Sequence, residues 1–156
     1  MRLSKNFTLE EMVATSHRRL QDAPSMEVIR NLQNLCIHVL QPLRDTVGAP
    51  VYINSGYRSK RLNAKVGGVP NSRHLLGKAA DIHCDNMAYA KVVFDILKQN
   101  KYVDHVLIES PTPALPKGGG RTVWVHVQME GGAVYTRRRR IALGFAAFVA
   151  ERRKNF

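Results

Sequence analysis

His74 and Asp81 stand seven positions apart in NSRHLLGKAAD, residues 71 to 81, with Gly77 between them. An imidazole and a carboxylate are the side chains that move protons or bind divalent cations. On a continuous helix the pair would lie about 10.5 Å apart along the axis. On a straight strand they would be about 23 Å apart and on opposite faces. If both act on one atom the chain must turn between them, and Gly77 permits the turn because glycine takes positive φ at little cost. A third group lies further on in TVWVHVQM, where Val123, Val125 and Val127 alternate with Trp124, His126 and Gln128. This alternation predicts a strand whose His126 points away from whatever the valines bury. His74, Asp81 and His126 together make two imidazoles and one carboxylate. Catalytic zinc takes three protein ligands and keeps a fourth position for water, and the nitrogen and oxygen mixture suits zinc better than calcium or magnesium. The chain has six histidines, so many triples can be drawn and this one is not chosen by residue type alone.

The elements that must position these groups are legible in the hydrophobic pattern. NFTLEEM offers a capping box, Thr8 with Glu11, preceded by Phe7 as a staple. From Ser25, Val28, Leu32, Leu35, Val39 and Leu43 recur at helical spacing towards a stop at Gly48, with Pro42 expected to kink or interrupt the helix. PVYINSGYR reads as a short strand, NAKVGGVPNS (63–72) as loop, AADIHC as a strand and MAYAKVVFDILKQN as a second long helix with Ala90, Val93, Phe94 and Leu97 inward. DHVLIES is a further strand, followed by a connection rich in Pro and Gly, PTPALPKGGG. Helices and strands mix without a regular βαβ rhythm, which predicts an α+β fold.

The chain has 156 residues, a length suited to one domain with its own core. Its two cysteines, Cys36 and Cys84, sit in apolar contexts far apart, which reads as buried thiols and excludes a disulfide scaffold or a zinc knuckle. No run is long and apolar enough for a membrane helix, and the first twenty residues lack the core of a secretory signal. The expectation is a soluble protein made in the cytoplasm. The formal charge of +12 favours polyanions: nucleic acid, anionic lipid, or the acidic polymers of a bacterial envelope. No reading helix, aromatic RNA-binding motif or zinc-finger spacing accompanies that charge, so a specific nucleic-acid partner is not expected.

SGYRSKRLNAKVGGVPNSRHLLGKAADI closely resembles the zinc D-alanyl-D-alanine carboxypeptidase family, whose fold is shared with the hedgehog signalling domain. The resemblance rests on Ser-Gly-Tyr-Arg-Ser at 55–59, Leu-Asn at 62–63, Gly-Gly at 67–68, the pattern Ser-x-His-x-x-Gly-x-Ala-x-Asp at 72–81, and Trp-Val-His at 124–126. It implies a hedgehog/DD-peptidase-like domain, mainly an antiparallel sheet with helices packed on one side. It also implies one zinc ion per chain, held by His74, Asp81 and His126. Arg58 would then meet the substrate carbonyl or terminal carboxylate, a task for a planar fork of donors. Several family members carry an acidic base three residues before the last histidine, where this chain has Val123. Glu109, at the end of DHVLIES, is the best substitute for that base; the alternative is a strand-end carboxylate balancing Lys117 or Arg121. Ser72 would bind substrate or orient a ligand, against the plainer role of a turn former. Trp124 would line the cleft or pack in the core. His83 faces the same way as Asp81, as a partner of the ligands or as an exposed residue, while His17, His38 and His105 carry no motif and are read as structural.

The function implied is zinc-dependent hydrolysis of peptide bonds in peptidoglycan stem peptides, by a carboxypeptidase or an endopeptidase, including a phage-type lytic enzyme. The rival reading is a catalytically inactive, zinc-containing cell-wall binding module. Either would work at the bacterial cell wall after release or export. The expected organisation is a single domain over 1–156, with a helical region 1–48, a catalytic core 49–130 and a basic segment 131–156. In that last segment Ile141, Phe145, Phe148 and Val149 make an apolar helical stripe between arginine clusters. Such a helix docks on the core or holds an anionic lipid or polymer surface. Oligomeric state leaves no mark in the sequence.

Overall fold

The computed structural model describes residues 1–110, 123–129 and the backbone of Arg140–Ile141. The Thr8 capping box is formed, the Glu11 amide donating to Thr8 Oγ1 and the Glu11 carboxylate accepting from the Thr8 amide, and it starts α1 (Leu9–Val13). Ser25 caps α2 (Met26–Leu35), which continues through a π turn at Cys36–Leu40 into α3 (Gln41–Val47) and stops at the left-handed Gly48. Pro42 explains the irregular turn. It has no N–H to give the carbonyl of His38 four residues earlier, and the Asn100 side chain donates to that carbonyl instead, at 2.8 Å. The interruption expected at Pro42 is therefore a single π turn between α2 and α3, with helical dihedrals on either side of it.

Strand β1 (Ile53–Ser55) is shorter than the alternating run suggested, and α4 (Lys60–Lys65) takes the first residues of the stretch expected to be loop. β2 (Ala79–Cys84), α5 (Met87–Lys98), β3 (His105–Glu109) and β4 (Val123–Gln128) follow as the patterns predicted. The sheet order is β1-β2-β4-β3-β5, antiparallel except that β5 (Arg140–Ile141) runs parallel beside β3. This corrects the expectation that Ile141 opens a helical stripe: a strand edge offers a row of unpaired backbone groups, and Arg140–Ile141 occupies part of it. Phe145, Phe148, Val149, Lys117, Arg121 and the rest of the basic segment lie outside the described residues.

The register gives the sheet two faces of opposite character. Ala80, Ile82 and Cys84 of β2, Val123, Val125 and Val127 of β4, and Val106 and Ile108 of β3 join Leu32, Leu35, Val39, Leu43, Val93 and Leu97 of the helices in one core. Each of the valines, leucines and isoleucines contributes about 1.5–3 kcal/mol on burial, so this face holds the fold together. The other face carries three rows across β2, β4 and β3: His83, Trp124 and Glu109; Asp81, His126 and Leu107; Ala79, Gln128 and His105. Polar groups there need not disturb the core.

Both cysteines are buried free thiols on the core side. Burial pushes the Cys36 thiol up to about 12 and the Cys84 thiol up to about 11. Native protein at pH 8 is therefore expected to resist iodoacetamide at both positions, with full labelling only in denaturant. Because the folded thiols hold their protons longer than unfolded ones, stability should be unaffected by them below about pH 8.5 and fall as pH rises beyond it. Rapid native labelling, read by mass spectrometry, would contradict this packing.

Candidate metal centre

Ser72 begins the site. Its hydroxyl caps the short 3-10 turn Arg73–Leu76, accepting from the His74 amide at 3.3 Å. Gly77 then reverses the chain with φ of +71°, and a Cβ at this position would lie 2.7 Å from the Val28 carbonyl oxygen. The turn thus needs glycine twice, for its dihedral and for its approach to α2. Asn31 of α2 ties the same turn down by donating to the Leu76 carbonyl at 2.8 Å. Beyond the turn β2 starts, and Asp81 arrives opposite His126 of β4.

The two histidines are fixed by their outer nitrogens. The Nδ1–H of His74 donates to the Gly56 carbonyl at 2.6 Å, which leaves the neutral ring with a bare Nε2. That Nε2 is buried, has no hydrogen-bond partner, and stands 3.3 Å from Asp81 Oδ2. His126 Nδ1 stands 2.8 Å from Asp81 Oδ1, and its Nε2 lies 2.8 Å from Gln128 Oε1. One donor atom from each of His74, Asp81 and His126 falls within 4.8 Å of the other two. A bare imidazole nitrogen, a carboxylate and a second imidazole crowded together in a buried place are strained unless a proton or a cation lies between them. The donor set therefore fits a divalent ion of the zinc kind, with nitrogen and oxygen ligands.

The charges show the same strain. Burial opposes ionisation of Asp81, but the flanking His74 and His126 outweigh it and hold its carboxyl far below the usual range. Burial keeps His74 easier to deprotonate than a free histidine, only partly offset by Asp81. At His126 burial pulls the same way, yet Asp81, with Glu109 further off, prevails and raises its pKa.

The remaining residues singled out in the sequence gather around this point. Arg58 donates from its amide to the His74 carbonyl at 3.1 Å and from Nη2 to Ser72 Oγ at 3.4 Å. Its Nε is buried without a hydrogen-bond partner. Burial makes its guanidinium less basic than usual, against the pull of Asp81 and Glu109. Glu109 lies opposite Trp124, on the face that carries His126, and its charge reaches both Arg58 and His126. Val123 is buried in the core, pointing away from the site. Trp124 is partly exposed on the site face, between His83 and Glu109. His83 pairs with Asp85 at 2.8 Å near the surface. His105, which carries no motif, shares the site face, its ring 6.2 Å from that of His126. The Gly56 carbonyl left no sequence signal, being backbone. Gln128 left one: it sits two residues beyond His126, hence on the same face of a strand.

A family model described as Peptidase M15 matches residues 5–111. The chain belongs to the Peptidase M15 family. Within the matched segment of this M15 chain lie Arg58, Ser72, His74, Asp81 and Glu109; His126 and Trp124 fall beyond it and are brought to the site by the pairing of β4 with β2 and β3. The chain is also similar to a zinc D-Ala-D-Ala carboxypeptidase of Streptomyces albus G, 41% identical over 51 residues, which make up 32% of this chain and 20% of that protein. The similarity thus spans about a fifth of the relative's length.

Proposed function

We propose that this M15 peptidase uses one zinc ion, held by His74, Asp81 and His126, to hydrolyse a peptide bond next to a D-amino acid in peptidoglycan stem peptides. The observation that carries the reading is the buried Nε2 of His74, bare of a proton and crowded to 3.3 Å from Asp81 Oδ2 with His126 beside it. The substrate class is supported by the similarity to the Streptomyces enzyme, whose name specifies a D-Ala-D-Ala carboxypeptidase. When bound, zinc lowers the pKa of a water and polarises a carbonyl oxygen. Glu109 takes the proton from the attacking water at a carboxylate oxygen and returns it to the nitrogen of the leaving amine. Arg58 offers its guanidinium fork to the substrate's carbonyl oxygen or terminal carboxylate, and Ser72 Oγ, accepting from Nη2, keeps the fork aimed there. Trp124 forms a wall of the cleft. The place of action is the bacterial cell wall, reached after release or export.

The test uses two substrates, a linear stem peptide ending in D-Ala-D-Ala and a cross-linked dimer, each with zinc-loaded and chelator-treated protein. Metal-dependent release of D-alanine identifies a carboxypeptidase, and opening of the dimer an endopeptidase. Zinc bound at one per chain with no product from either substrate would replace the enzyme with a binding module.

A further inference from the structure

We infer that Gln128 is a positioning residue for the metal centre: its side-chain carbonyl holds the Nε2–H of His126 and thereby turns the bare Nδ1 of that ring towards Asp81. The inference rests on the zinc reading above and adds a residue that neither the motif pattern nor the matched segment contains. Two distances carry it. His126 Nε2 is 2.8 Å from Gln128 Oε1, and His126 Nδ1 is 2.8 Å from Asp81 Oδ1. A neutral imidazole has one N–H to give. Asp81 and the Gln128 amide oxygen both only accept, so without an ion the ring is held by a proton on either side; once Nδ1 gives its lone pair to the ion, the single N–H left is on Nε2, and Gln128 Oε1 takes it.

The arrangement mirrors the one at His74, with the two ring nitrogens exchanged. There the Gly56 carbonyl takes the Nδ1–H and Nε2 is left facing Asp81. Each imidazole thus has an oxygen on its outer side, one from the backbone and one from a side chain, and both inner nitrogens lie beside Asp81. Outer partners of this kind fix the ring's tautomer and orientation and raise its basicity as a ligand. Sheet geometry supplies Gln128 reliably, since residues two apart on β4 share a face. It also keeps the residue away from the core, where Val125 and Val127 lie, so the side chain can be changed without emptying a packed volume.

The test measures zinc affinity of the full chain by competition with a chromophoric chelator, for the parent, Gln128→Leu and Gln128→Glu. Gln128→Leu keeps the bulk and removes the acceptor, and is expected to weaken zinc binding about 10–100-fold. Gln128→Glu keeps an acceptor oxygen at the same reach and is expected to bind zinc as the parent does. Leucine binding zinc as tightly as the parent, or glutamate failing as badly as leucine, overturns the inference. A parent chain that binds no zinc would instead overturn the reading of the centre itself. Independently of any variant, the nitrogen-15 spectrum of the zinc-loaded parent should show the His126 proton on Nε2; a proton on Nδ1 rules out this role for Gln128.

Discussion

Replacing Glu109 with glutamine is expected to slow turnover of a D-Ala-D-Ala peptide by about 10²–10⁴-fold, the usual contribution of a positioned acid or base. Zinc content should stay at the parent level, because Glu109 is not among the three groups that converge. The amide keeps the shape and hydrogen-bonding reach of the carboxylate but cannot take up a proton, so a loss confined to kcat with zinc retained is the signature of a base. The geometry favours Glu109 over any substitute at position 123: Glu109 occupies the site face opposite Trp124, while Val123 sits in the core opposite Cys84. Turnover within a few-fold of the parent would move the base elsewhere.

His74→Ala should lose zinc altogether under conditions where the parent is fully loaded. The weakening should exceed the roughly 10–100-fold that follows loss of an outer partner, since here a converging donor is itself removed. Activity should vanish with the metal. The metal-free variant will also be less stable than the metal-free parent, because the buried ring leaves a gap and strands the Gly56 carbonyl, which costs about 1–3 kcal/mol. Elemental analysis and chelator competition separate the two effects when paired with a thermal melt in excess chelator. Full zinc occupancy in the variant would show that the ion, if bound, sits somewhere other than beside Asp81.

The strands, the capped helices and the Gly77 turn were legible because each follows from local pattern. Alternating valines, Thr8 with Glu11, and a glycine between two chemically active residues all act within a few positions. The three converging groups were legible for a different reason, the resemblance of separated motifs, since nothing local joins residue 81 to residue 126. What stayed hidden depended on distant partners. The role of Asn100 at His38 cannot be read from either segment alone, and the Gly56 carbonyl has no side chain to notice. Gln128 was visible as a face-mate of His126, but its task appears only when the ring nitrogens are given their neighbours. The strand at Arg140–Ile141 is hidden because residues 141, 145, 148 and 149 follow a helical period, whereas pairing with the edge of β3 depends on residues about 35 positions away.

The carbonyl that steadies His74 belongs to a segment gripped from the amino-terminal side: the Tyr57 amide donates to the Met12 carbonyl at 2.7 Å, and Gln21 bridges the Tyr57 carbonyl and the Ser59 amide at 2.8 and 2.9 Å. A glycine is required at 56 because a Cβ there would lie 2.3 Å from the Met12 carbonyl oxygen. The leading helix is thereby joined to the metal centre through a single backbone segment. Linkage makes any coupling along it symmetric: a loosening of the ion on fraying of α1 is matched by an equal tightening of α1 by the seated ion.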